Sequence, residues 1–143
     1  MTIYDTADRH KLITETAKAL QQRGASDQVA QVAAELLAEM SGSDRRETTS
    51  RTAVLLQHLI KWAYQPNQRS VSWTSTINTQ RRDLTLLFQE SPSLRRHQEL
   101  MLATCWTTAR RYAILEMKAN PHTAVPASCP WTLKQVMNPR WLP

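Results

Sequence analysis

Gly24 and Gly42 are the only glycines in a chain of 143 residues. That scarcity removes whole classes of fold. Tight hairpins need glycine where φ is positive, phosphate-cradling loops need several, and dinucleotide-binding turns need a spaced set of them. No segment alternates apolar and polar residues convincingly, so no sheet is expected. Apolar residues recur instead at helical spacing. The fold expected is all-α: a single domain, residues 1–143, built as a helical bundle of about five main helices plus a short C-terminal helix. A chain of this length buries a real core without disulfides or metals. Its 41% hydrophobic and 21% charged residues are globular proportions, far from those of a disordered chain.

The helix signals can be placed one by one. A first helix runs from about Thr6 to Arg23, with Leu12, Ile13, Ala17 and Leu20 as its stripe and Gly24 as its left-handed stop. A second spans about Ser26 to Gly42, with Val29, Val32, Ala33, Leu36, Leu37 and Met40 on one face and Glu35 and Glu39 beside it. Ser43 or Asp44 caps a third, which ends near Tyr64 because Pro66 cannot continue it. Ser70 or Ser72 caps a fourth, carrying Trp73, Ile77, Leu84, Leu87 and Phe88. Ser91-Pro92 ends that helix and opens a fifth, read as continuous to about Lys118, with Leu94, Met101, Cys105, Ala109, Tyr112 and Leu115 on one side. Residues 120–143 form an arm with a short last helix. Thr132 and Gln135 make its capping box. Trp131, Leu133, Val136, Met137 and Trp141 give the arm too much apolar surface to leave in water, so it is expected to pack back.

A run of rarer residues carries a resemblance. Ser50-Arg51 leads into Val54-Leu55-Leu56 and His58-Leu59-Ile60-Lys61-Trp62. Tyr64-Gln65-Pro66, Arg69-Ser70, Ser72-Trp73, Thr76-Ile77 and Gln80-Arg81 follow. Ser91-Pro92-Ser93-Leu94-Arg95 and Cys129-Pro130-Trp131-Thr132 come later. From about Glu35 to the C-terminus the chain resembles the bacterial domain of unknown function 29 family. The first ~25 residues match less: where the family usually carries a Phe and a Trp, this chain has His10 and Leu12. The resemblance implies a bacterial helical bundle and no activity, since the family is named for lacking one.

Arg51 and His58 stand seven positions apart on one helix, hence on nearly the same face. This spacing is similar to the Arg-to-His motif of the HEPN-type ribonucleases, small metal-independent helical bundles. A histidine trades protons near neutral pH and an arginine stabilises a charged phosphate, so the pair is the candidate catalytic site. The competing reading is structural. In it His58 bonds a buried polar group and Arg51 pairs with Glu35 or Glu39. Lys61, Tyr64, Arg69, Trp73 and Arg81 surround the turn between helices three and four, a basic and aromatic mixture able to hold a phosphate and stack a base. Its competitor is a pair of core tryptophans, Trp62 and Trp73, with cations laid over their faces.

Four arginine doublets recur: Arg45-Arg46, Arg81-Arg82, Arg95-Arg96 and Arg110-Arg111. Neighbours on a helix differ by about 100° in direction, so each doublet can send one guanidinium to an internal acid and one to solvent. Net charge is +6, which favours an acidic partner, protein or nucleic acid. His10, His58, His97 and His122 lack metal-ligand spacing, so no metal or other cofactor is expected. Cys105 reads as core and Cys129 as a free thiol. No apolar run is long enough to span a membrane, and Met1 to His10 lacks the look of a signal peptide, so cytoplasm is expected.

Three functional readings stand at this point. The first is a non-enzymatic basic module that binds an acidic partner. The second is a HEPN-like ribonuclease or toxin-type protein, such proteins often being homodimers, using Arg51 and His58. The third is an accessory or immunity-type protein that blocks another protein through an apolar patch around Trp131 and Trp141.

Overall fold

A computed structural model describes residues 3–38, 42–117 and 124–143, and their side chains save those of 3–10, 12, 33 and 35–38. The protein is all-α: the described residues contain seven α-helices, one 3-10 turn and no strand. They fall into two compact units, Met1–Glu47 and Thr48–Pro143.

The first unit is a helical hairpin of α1 (Ile3–Gln22) and α2 (Asp27–Ala38). Gly24 sits at φ +89°. Its N–H donates to Gln21 O at 3.0 Å, and that of Ala25 donates to Leu20 O at 3.1 Å. These two bonds satisfy the last carbonyls of α1 and need a left-handed residue between them, which glycine adopts without a Cβ penalty. Ser26 then caps α2, its Oγ accepting from Val29 N at 3.3 Å. The face α2 buries is not the one its valines suggest. Ala30 and Ala34 are fully buried, whereas Val29 and Val32 are 60% and 51% exposed. Small residues at the contact let two helices approach closely, and the larger valines are turned outward. Among the described side chains of α1, Thr16, Ala17 and Leu20 are buried; Leu12 of the predicted stripe lies outside them.

The second unit is built on three long helices. The first is α3 (Gly42–Tyr64), whose residues from Thr48 onward belong to it. A 3-10 turn, Pro66–Gln68, leads to α4 (Val71–Glu90). Ser70 caps α4 by accepting from Trp73 N at 3.3 Å. Ser91 caps the next helix by accepting from Leu94 N, with Pro92 in its first turn. Here the sequence reading needs correcting. The helix expected to be continuous from Pro92 is two, α5 (Pro92–Arg96) and α6 (Gln98–Glu116). His97 breaks it, with φ −108° and ψ 14°. Its N–H bonds Leu94 O, a three-residue step, so the ladder tightens for one turn and restarts on a new axis.

Thr132 and Gln135 form the reciprocal capping box of the last helix, α7 (Leu133–Met137). Cross-links fix the helix directions. Arg51 meets Asp83 and Lys61 lies over Trp73, so α3 and α4 are antiparallel. Cys105 Sγ contacts Thr49 O and Glu116 meets Lys61, so α3 and α6 run the same way.

Leu55, Leu56, Leu59 and Ile60 of α3 are all fully buried, so this helix is covered on more than one face. Ile77, Leu84 and Phe88 of α4, Leu94 of α5, and Met101, Cys105 and Ala109 of α6 are buried as their spacing predicts. Farther along α6 the predicted stripe drifts off the core. Tyr112 and Leu115 are 47% and 74% exposed, and Trp106, Ala113 and Ile114 are buried instead. Steps of four advance about 40° beyond a full turn each, so the buried line Met101, Cys105, Ala109, Ala113 winds around α6 and leaves behind the direction that Tyr112 and Leu115 keep.

Candidate functional site

The candidate catalytic and binding residues fall in the second unit, on α3, on α4 and, for Arg69, in the turn between them. Arg51 donates from Nη1 to Asp83 Oδ2 at 2.9 Å and to Gln80 Oε1 at 3.2 Å, both on α4. Glu39 lies outside the described residues, as does the side chain of Glu35. Among the described residues, Asp83 of α4 is an acid that Arg51 meets. His58 sits two turns on. Its Nδ1 donates to Val54 O at 2.8 Å, a carbonyl of its own helix, which leaves Nε2 as the acceptor nitrogen of the neutral ring. Burial pulls the His58 pKa below its usual 6.5, aided by the nearby Lys61 charge and opposed by the Val54 bond and Glu116. Arg51 therefore addresses α4 while His58 lies in the field of Lys61 and Glu116. Two turns of helix, roughly 10 Å along the axis, separate them.

Glu116 is the second centre. Gln57 Nε2 donates to its Oε1 at 2.6 Å and Lys61 Nζ to its Oε2 at 2.8 Å. The Lys61 side chain is only 9% exposed, and its ammonium also lies 5.1 Å from the Trp73 ring centroid. Arg69 stands 4.7 Å over the Trp62 ring and donates from Nε to Trp62 O at 2.9 Å, satisfying a carbonyl in the last turn of α3. Tyr64, the last residue of α3, is half-buried. Both tryptophan faces at this turn thus already carry a cation.

Arg81 belongs elsewhere. Its Nε donates to Val136 O and its Nη2 to Trp141 O, each at 2.8 Å. It is 3% exposed, and burial lowers its pKa below the usual guanidinium range. Arg110 does a similar job, donating from Nε and Nη2 to Val125 O at 3.1 and 3.0 Å. Trp106 Nε1 donates to Pro126 O at 3.1 Å. The arm, irregular outside α7, cannot satisfy its own carbonyls by a ladder, so side chains of α4 and α6 do so. In these two doublets one arginine turns inward and one outward, as helix geometry predicts, but the inward partner is a main-chain carbonyl rather than an acid. Trp131 packs edge-on to Trp106 at 5.4 Å and Trp141 to Trp131 at 5.5 Å. Both arm tryptophans are half-buried.

Sequence reasoning missed Asp83, Gln80, Gln57 and Glu116. Asp83 and Gln80 had a weak signal, being next to Leu84 and Arg81 on the buried face of α4; Glu116 had none. It also missed a groove of about 370 Å³ between α4 and the arm, lined among others by Asn78, Arg81, Arg82, Leu86, Met137 and Pro139. Cys105 is buried and its thiol pushed up to about 12 by burial; Cys129 is half-buried, its Sγ donating to Trp131 O at 3.5 Å. Among the described residues no three His, Cys, Asp or Glu gather as a metal site, and no helix is long and apolar enough to cross a membrane.

No curated protein and no solved structure matches the chain. A family does match, over residues 3–142, which takes in the N-terminal stretch where the resemblance was thinnest. With essentially its whole length matched, the chain belongs to the family described as domain of unknown function DUF29.

Proposed function

We propose that this chain is a non-enzymatic helical module that binds an acidic partner, protein or nucleic acid, and that it acts in the cytoplasm. One observation carries the reading. Arg95, Arg96, Arg111 and Arg140 are exposed and make no ion pair among the described residues, which supports a role for their charge in meeting an acidic partner. The pair that would serve a ribonuclease supports the same reading, because Arg51 is held by Asp83 and Gln80 while His58 is turned to its own helix.

The test uses two labelled polyanions, polyglutamate and an oligothymidylate, titrated with the full chain across a salt series. Binding of at least one should weaken steeply with salt, and replacing Arg95 and Arg96 by Gln should weaken it further. Failure to bind either at low salt refutes the reading. RNA cleavage by wild type that disappears in a normally stable His58→Ala chain would put the ribonuclease in its place.

A further inference from the structure

We propose that the groove between α4 and the C-terminal arm docks a short acidic peptide segment of a partner protein, with a carboxylate against Arg81 and Arg82 and an apolar side chain against Leu86 and Met137. The proposal rests on the binding-module reading and gives it a place and a ligand chemistry.

The first observation is a buried charge without a counter-charge. A buried guanidinium ordinarily has a carboxylate beside it, because desolvation is otherwise uncompensated. Arg81 is 3% exposed, and its two acceptors are the neutral carbonyls of Val136 and Trp141. No carboxylate pairs with it among the described residues, and its Nη1 group makes no hydrogen bond to them. Two of its five donors are used, and the residue lines the groove.

The second observation is the company it keeps. Arg82 stands on the same wall with its side chain 69% exposed and holds Asp83 Oδ1 only at 3.4 Å. The other oxygen of Asp83 belongs to Arg51, so Arg82 is the freer partner and can turn to an incoming acid. Leu86 is 50% exposed, and Met137 and Pro139 complete an apolar side. Asn78 and Gln89 add amide groups able to bond a peptide main chain. Two cations beside an apolar wall match a carboxylate next to an apolar side chain.

A nucleic-acid strand fits less well. Strand binding wants aromatic faces for bases and a track of cations for phosphates. The groove has no aromatic lining, Trp62 and Trp73 carry Arg69 and Lys61, and Trp131 and Trp141 pack edge-on against each other.

The test selects a displayed library of random dodecapeptides on the full wild-type chain, then measures the enriched peptides on wild type, Arg82→Glu and the double variant Arg82→Glu/Leu86→Asp. Both changed positions are exposed, and unchanged melting confirms that the variants fold. Enriched peptides should pair Asp or Glu with a neighbouring apolar residue. They should lose about tenfold or more in affinity on the double variant, and shift amide resonances of residues 78–89 and 137–139. Acidic peptides that bind all three chains equally would overturn this site while leaving the binding-module reading intact. Enrichment of basic or neutral peptides, or of none, would overturn the site, and would overturn the broader reading too if polyglutamate and the oligothymidylate both fail to bind. Oligothymidylate binding that Arg82→Glu weakens would assign the groove to nucleic acid.

Discussion

Replacing Arg81 by Met tests whether one guanidinium really holds the C-terminal arm. Methionine keeps most of the aliphatic stem, so the change removes the two hydrogen bonds with little loss of packing. The bond to Val136 O is buried, and that carbonyl lies in the last turn of α7, where no helical donor follows. Leaving it unpaired costs about 1–3 kcal/mol. The bond to Trp141 O is only part-buried, so water can replace the lost donor and the added cost is small. Relief from burying a charge works in the opposite direction. The net expectation is a loss of about 2 kcal/mol, with Ala adding about 1–2 kcal/mol more for the missing stem. For a chain of this size that lowers the melting temperature by roughly 5–10 °C for Met. Hydrogen exchange should locate the damage: amides of 133–143 exchange faster, while the middle of α4 keeps its protection. A Met variant that melts within about 2 °C of wild type, with the arm equally protected, refutes the reasoning.

Four other outcomes follow from the same geometry. A chain ending at Asn120 should melt at a lower temperature than wild type and bind hydrophobic dyes, because it loses Val125, Val136 and Trp131, which packs on Trp106, together with Trp141 beside it. Thr48 and Thr52 hydroxyls are buried with no partner among the described residues, so Thr52→Val should raise stability by about 1 kcal/mol in a thermal or urea melt. The His58 pKa is lower folded than unfolded, so the unfolded chain binds more protons below pH ~6.5; stability contributed by neutral His58 is full above that pH and falls below it, and His58→Gln should flatten that part of the melting-temperature profile. Arg51 and Asp83 should show a coupling of about 0.5–1 kcal/mol in a double-mutant cycle at low salt, reduced at high salt, since both side chains are partly exposed.

What the sequence disclosed is what local rules control. The stop at Gly24, the caps at Ser70 and Ser91 and the box at Thr132 and Gln135 each depend on a few neighbouring residues, and all are present. The break at His97 was hidden because nothing there resembles a stop signal; it is a one-residue change of backbone angle. The faces of α2 and late α6 were misplaced for another reason. Hydrophobicity favoured Val29, Tyr112 and Leu115, whereas close packing selected Ala30, Ala34 and Ala113. Partners across helices were the least legible. Arg51 could be read as needing an acid, but finding Asp83 on α4 requires knowing that α3 and α4 touch.

The arginine doublets show why a net charge is a poor map of where that charge acts. A guanidinium bonded to a carboxylate is largely cancelled at a distance, but one bonded to a neutral carbonyl is not. Arg81 is turned inward onto main-chain oxygens, yet it keeps its positive charge and carries it into the wall of a groove. Low-dielectric walls strengthen the field there relative to an arginine in open solvent. Exposed Arg95 and Arg96 draw an anion from afar and lose that pull in salt. Arg81, buried and short of donors' partners, rewards an anion that reaches the groove and is much less screened. The two contributions should separate in a salt series: neutralising Arg95 and Arg96 should slow association and reduce the salt slope, whereas Arg82→Glu at the mouth of the groove should speed dissociation even at high salt. If both pairs of changes act on association alone, the groove contributes no retention and the charge works only by long-range attraction.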